Sequence, residues 1–215
     1  MKIALIGASG YVGAKLRDEA LQRGHQVVAI VRDPSKLPAH AALTAKTADV
    51  YDSAQVAAAV AGSDVVLSAF SSAGEADDVQ GKHQRASRSI VAGAKHAGID
   101  RLLMIGGAGS LFVAPGVQLV DTQEFPAEWK PGALGARDAL ADLQKENELD
   151  WAFVSPPPML VPGERTGKYE LGGDSVPPMR DGQPASISTD DLAVAVLDEI
   201  EKPKHHRQRF SVFGA

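Results

Sequence analysis

Two hydrophobic patterns alternate along the first two thirds of the chain. Short continuous apolar runs occur at residues 3–6, 27–31, 65–69, 102–105 and 151–154, with a weaker one at 43–48. Between them, residues 11–23, 54–61, 80–97 and 133–146 place apolar side chains at three- and four-residue spacing. The runs predict strands buried on both faces, and the periodic stretches predict helices laid over them. Glycines at 24, 62 and 98 punctuate the helix-to-strand joints, as helix ends require. Right-handed crossovers then give a doubly wound parallel sheet of order 3-2-1-4-5-6 in a three-layer α/β/α arrangement.

Two segments interrupt the rhythm. Residues 106–132 carry Pro115, Pro126 and Pro131 among several apolar side chains, and residues 156–184 are richer still in proline and glycine. Loops of this length inside a compact domain are more often functional than idle. Both leave the carboxyl ends of predicted strands, where an open α/β sheet binds its ligand. A helix near 190–201 and a strand near 209–213 close the chain. No internal repeat or linker divides it, so residues 1–215 read as one domain with a small C-terminal substrate lobe.

Composition narrows the function. The 215 residues carry a net charge of -5 and a pI near 5.7, which leaves no basic footprint for nucleic acid. Cysteine is absent, removing disulfides, thiolate nucleophiles and thiolate-ligated metal together. No apolar run approaches the roughly 20 residues that span a bilayer, and the first apolar run meets glycine too soon for a signal peptide. A soluble cytoplasmic protein is expected, a monomer or homodimer acting on a small molecule.

The most informative motif is Gly7-Ala8-Ser9-Gly10-Tyr11-Val12-Gly13, which follows the first strand directly and opens the first helix. In that context the first glycine permits a tight turn, the second lets a pyrophosphate approach the backbone, and the third lets helix and strand pack closely. Amides at the helix start, with the positive end of its dipole, hold the phosphates. The expected cofactor is therefore a nicotinamide dinucleotide on a Rossmann-type sheet. Arg32 and Asp33 end the second strand. An acid there binds the ribose of NAD, whereas an arginine accommodates the 2′-phosphate of NADP. Arg32 comes first and can pair with phosphate through two hydrogen bonds, so NADP is favoured, with NAD as the alternative. Ser9 and Lys36 offer donors nearby.

The glycine loop, residues 30–34, Ala48-Asp49-Val50 and Gly106-Gly107-Ala108-Gly109-Ser110-Leu111 together resemble a known family. It is the NmrA-like NAD(P)-binding group of atypical short-chain dehydrogenases, especially small bacterial proteins of the NADH-flavin reductase type, and more distantly biliverdin reductase B. Residues 149–156 and 162–167 extend the likeness nearly to the C-terminus. The resemblance implies cofactor contacts from Gly7, Ser9, Gly10, Tyr11 and Val12, from Arg32, and from Asp49 and Val50 beside the adenine. It implies further contacts from Ser68, Ala69 and Phe70 along the ribose, from Gly106 and Gly107 near the nicotinamide, and from Pro156 beyond it.

One departure matters. Ketone-reducing members use a Tyr-x-x-x-Lys pair on the helix after the fifth strand, and residues 130–138 hold no tyrosine and offer only Arg137 in place of the lysine. Alcohol dehydrogenation and sugar epimerisation thereby lose their proton donor. Flavin reduction needs no such pair. The resemblance therefore implies an NAD(P)H-dependent oxidoreductase with a flavin, or a similar flat acceptor, as substrate. The alternative is a non-catalytic NADP-binding redox sensor of NmrA type.

The remaining chemistry is sparse. Six histidines form no convergent ligand set, so no metal is expected. His83 and Arg85 follow the loop at 71–80 and read as an exposed helix start, or else as residues facing a substrate. Phe112, Phe125 and Trp129 either stack on a flat substrate or pin the long loop to the sheet. The two late loops offer Ser110, Arg165, Thr166 and Tyr169, with Ser110 and Arg165 the catalytic candidates and Arg165 the expected electrostatic anchor of an acceptor pocket.

Overall fold

A computed structural model describes residues 1–215. In chain order it contains β1 (Lys2–Ile6), α1 (Tyr11–Gln22), β2 (Gln26–Ile30), β3 (Leu43–Lys46), α2 (Ser53–Val60), β4 (Val65–Ser68), α3 (Val79–His96) and β5 (Arg101–Ile105). There follow β6 (Phe112–Ala114), β7 (Val117–Gln118), α4 (Lys130–Leu143), β8 (Asp150–Ser155), β9 (Met159–Val161), β10 (Tyr169–Gly172), β11 (Ser186–Ser188), α5 (Thr189–Glu201) and β12 (Gln208–Gly214).

The main sheet runs β10-β12-β8-β5-β4-β1-β2-β3. Its first six strands in chain order are parallel and take the order expected from the sequence, with β1 between β2 and β4. β12 extends the sheet parallel to β8, and β10 closes that edge antiparallel.

Strand side chains alternate between two apolar cores. Ile3 and Leu5 join Leu16 and Ala20 of α1 and Leu192 and Val196 of α5 on one face. Ala4 and Ile6 join Val56 of α2, Ile90 of α3 and Leu140 of α4 on the other. This alternation is why the strands read as unbroken apolar runs: each successive residue is buried against a different helix layer.

The interruptions contain structure that periodicity does not reveal. β6 and β7 form a small hairpin inside 106–132, and β9 pairs with β11 in a separate two-stranded sheet. Residues 156–184 thus supply both an edge strand of the main sheet and half of this small one. No helix is long and apolar enough to cross a membrane.

Candidate active site

The carboxyl ends of β1, β2, β4, β5 and β8 converge on one edge. Gly7 N–H donates to the Ile30 carbonyl at 3.1 Å, Ala69 N–H to Ile6 at 2.9 Å, and Gly106 N–H to Val154 at 2.8 Å. These bonds carry the ladder one residue past each strand and fix the loops that follow.

Gly7 has φ +81°, and a Cβ there would lie 2.7 Å from the Ala69 carbonyl oxygen. A Cβ on Gly13 would fall 2.0 Å from the Gly7 oxygen. Both positions demand glycine for internal packing. Gly10 differs: a Cβ there meets only the Gly7 oxygen, at 3.3 Å. The surface above Gly10 is thus free for a ligand. Gly10 is also the N-cap of α1, with no side-chain cap and no acid in the first turn. The helix start therefore presents amides and a positive dipole end with no protein anion to occupy them. A dinucleotide pyrophosphate fits this cradle. Arg17, buried under the loop, donates to the Ala8 carbonyl at 3.3 Å and braces it from behind. The glycine spacing gives no hint of this brace.

Arg32 extends from the end of β2 with its side chain 92% exposed, its nearest carboxylate being Glu75 at 3.6 Å. Asp33 is exposed too and caps the following turn, accepting from the Ser35 amide at 3.0 Å and hydroxyl at 2.6 Å. These bonds hold its carboxyl below the ordinary carboxylate range. Both bonds fall on Oδ1, and Arg32 and Asp33 are both exposed at the end of β2. The Asp49 carboxylate likewise accepts from Tyr51 N–H at 2.9 Å, and Val50 packs on the α2/α3-side core. Ser68 is buried, with its hydroxyl near the Phe70 amide at 3.4 Å. Ser9 and Tyr11 are exposed beside the loop.

Beyond the glycine loop lies a cavity of about 770 Å³. Val12, Ala69, Phe70, Gly106, Gly107 and Pro156 line its sheet side, all of them expected cofactor contacts. Leu119, Phe125, Trp129, Pro157 and Leu160 line the rest. Gly107 faces open space. The titratable lining residues are His83, Glu124 and Glu128, of which the two glutamates are exposed at the rim. His83 is buried at 9% exposure, which corrects its reading as an exposed helix start. With no partner to favour its charged form, burial pushes the imidazole pKa down.

The expected anchor of this pocket is elsewhere. Arg165 donates to both Glu19 oxygens, Nε at 2.7 Å and Nη2 at 2.8 Å. Glu19 belongs to α1, on the sheet face opposite α3 and α4. Thr166 is held on the same side by Asp191 of α5, through its amide at 2.8 Å and its hydroxyl at 2.7 Å. The Tyr169 hydroxyl donates to Asp198 at 2.6 Å, and burial together with that carboxylate pushes its pKa up to about 12. The late loop lines the cavity within residues 156–160, crosses to the α1/α5 face through Arg165 and Thr166, and returns to the cavity at Pro184. Ser110 is buried too, its Oγ accepting from Arg209 at 3.2 Å. Neither Ser110 nor Arg165 lines the cavity. Of the three loop aromatics, Phe125 and Trp129 reach it, while Phe112 pairs in backbone with residues 174–176.

Comparison with known proteins agrees with this geometry. The NAD(P)H-binding family matches residues 7–203. YwnB of Bacillus subtilis, an uncharacterised protein, is 43% identical over 216 residues, covering 99% of this chain and 98% of its own. A Bacteroides thetaiotaomicron structure named "putative epimerase" has a TM-score of 0.91 at 42% identity, covering 99% of this chain and 96% of its own. A Streptococcus pneumoniae structure named "putative NADH-flavin reductase" has a TM-score of 0.87 at 35% identity, with both chains fully covered. The glycine cradle, the strand-end cavity and these matches lead to one conclusion: the chain belongs to the NAD(P)H-binding family, as its resemblance to NmrA-like atypical short-chain dehydrogenases implied.

Proposed function

We propose that this protein is an NAD(P)H-dependent oxidoreductase that reduces a flavin, or a similarly flat conjugated acceptor, by direct hydride transfer, with NADPH the preferred donor. The observation that carries this reading is the cavity of about 770 Å³. It adjoins the glycine cradle, is walled mostly by apolar and aromatic side chains, and contains no tyrosine or lysine among its lining residues. A flat acceptor needs aromatic faces, a dry wall and correct placement more than it needs a dedicated acid. Ketone reduction and sugar epimerisation by a Tyr-x-x-x-Lys pair would need a tyrosine that this lining does not hold. A pure redox sensor would have no use for so open a space beside the nicotinamide end.

In this reading the amides at the start of α1 hold the pyrophosphate and Arg32 reads the 2′-phosphate. A bound reduced nicotinamide supplies the hydride. Phe70, Phe125 and Trp129 present ring faces to the acceptor, and Pro157 and Leu160 keep water from the far wall. The test is NADPH consumption, followed by its absorbance, with FMN, riboflavin and simple quinones as acceptors. Turnover with one of these classes, faster with NADPH than with NADH, is the expected result. Tight NADPH binding without turnover of any of them would overturn the reading in favour of a sensor.

A further inference from the structure

His83 is the buried ionisable group of the cavity, and nothing in the protein satisfies it. His25 meets partners at both ring nitrogens, and His40, His205 and His206 each at Nδ1. His96 is exposed to solvent. His83 is 9% exposed, its imidazole centroid lies 5.8 Å from that of the Phe70 ring, and no side-chain or backbone partner meets its ring nitrogens, Ser87 donating instead to its backbone carbonyl. Its ring nitrogens are not among the fully enclosed unpaired polar atoms of the protein, so they stay reachable from the cavity that the residue lines.

The fold holds this residue in place. On α4, a Cβ added to Gly135 would lie 2.6 Å from His83 Cβ. The absence of a side chain at Gly135 lets α4 run against α3 at the level of His83. The packing therefore closes the helix side of the residue, while its ring borders the cavity beside Phe70. A leucine would fill such an apolar niche without leaving a polar group unpaired.

We propose that His83 is a catalytic and specificity-determining residue of the acceptor site, donating a hydrogen bond from its imidazole N–H to an oxygen or ring nitrogen of the bound acceptor. The ligand class is a flat conjugated ring that turns a hydrogen-bonding edge toward α3, with Phe70 beside it. The proposal rests on the reading of the cavity as an acceptor site. Arrival of a hydride leaves an electron pair on a conjugated oxygen or nitrogen of the acceptor. The His83 N–H stabilises that charge as it develops, and one proton from water completes the two-electron reduction. A neutral imidazole is suited to this, since it brings a donor into an apolar site without a buried charge.

The experiment uses the full chain loaded with NADP+, and riboflavin and menadione as separate probes. Imidazole NMR signals are followed through each titration, and the His83 signal is identified by its loss in His83→Gln. The expected result is a saturable shift of the His83 signal with at least one probe. In steady-state kinetics, His83→Ala should lower kcat/KM for that acceptor by about tenfold or more, with NADPH affinity unchanged and the melting temperature lowered only by the lost packing. His83→Gln, which keeps an N–H donor, should recover part of the loss. A His83 signal that neither probe moves overturns the proposal, as does an equal kcat/KM in wild type and His83→Ala. A moving His83 signal without turnover of either probe would instead sink the hydride-transfer reading and leave the ligand site standing.

Discussion

Arg165 and Glu19 lie 146 residues apart in the chain and form a two-point ion pair across the α1 face of the sheet. Glu19 is 4% exposed, and Arg23 also donates to it at 2.7 Å. The pair ties the 163–167 loop to α1, which makes Arg165 a structural residue. Arg165→Ala should lower the melting temperature while leaving kcat/KM for any acceptor unchanged. Thermal melting and steady-state kinetics on one preparation check this. A fall in kcat at unchanged stability would return Arg165 to the chemistry.

The same pair predicts how stability varies with pH. The hydrogen bonds from Arg165, with those from Arg23, hold the Glu19 carboxyl below its ordinary pKa of 4.5 despite its burial. A carboxyl whose folded pKa is depressed contributes stability that is fully present above its unfolded pKa. That contribution is lost as pH falls through the folded value. Through Glu19, stability should thus be independent of pH near neutrality and decline once pH drops below about 4.5. Denaturant midpoints of wild type and Glu19→Gln across acid pH should converge there. Parallel curves would exclude Glu19 as a contributor.

The contact between Arg32 and Glu75 bears on cofactor choice. Each charge-assisted hydrogen bond from Arg32 to a 2′-phosphate contributes about 1.5–3 kcal/mol. Arg32→Ala should therefore weaken NADPH by about tenfold or more and NADH little. Glu75 stands 3.6 Å from the guanidinium and would repel the same phosphate. Glu75→Gln should accordingly tighten NADPH by roughly two- to fivefold without affecting NADH. Calorimetric titration of both cofactors into both variants decides the matter. Equal changes for NADPH and NADH would show that neither residue senses the phosphate.

What the chain disclosed in advance follows from the range of each interaction. The strand order and the glycine cradle rest on local patterns: unbroken apolar runs, helical periodicity and a turn of seven residues. β9 and β11, three residues each, are too short to show a period, and they pair only because the chain between them returns. Glu19 reads as the polar face of α1, and its partner lies far away in a proline-rich loop. His83 sits in the polar stretch Gln80-Gly81-Lys82-His83-Gln84-Arg85. Its burial is imposed by Phe70 and by the missing side chain at Gly135, neither of which its own neighbours announce. The one available signal was Gly135 itself, a glycine inside a predicted helix, where close approach of another element is a common reason.

Gly10 and Gly13 should separate binding from folding. Gly10 has extended backbone dihedrals, φ -78° and ψ 175°, that any residue can adopt. Gly10→Val should abolish NADPH binding while leaving the melting curve near that of wild type, because the branched side chain fills the pyrophosphate space. Gly13→Ala places a Cβ 2.0 Å from the Gly7 oxygen, so it should destabilise the fold itself. Calorimetry and thermal melting of the two variants test the contrast. Full affinity in Gly10→Val would displace the cofactor from this loop.

Trp129 offers the sharpest test of the acceptor wall. It precedes α4 at the mouth of the cavity and is 58% exposed, which is unusual for a large aromatic side chain. Two roles are distinguishable. If the ring stacks on a flat acceptor, its loss removes about 0.5–1.5 kcal/mol of binding, a rise in KM of roughly two- to twelvefold. That contact exists before and during hydride transfer, so kcat should hold while KM rises, the mark of binding shared by ground and transition states. Stability should change little, because an exposed ring contributes little to the core. If the ring instead pins the 106–132 loop, Trp129→Ala should lower the melting temperature and leave KM where it was. We expect the first outcome. Steady-state kinetics with riboflavin at saturating NADPH, alongside a melting curve, distinguish the two, and an unchanged KM with a lowered melting point would remove Trp129 from the acceptor site.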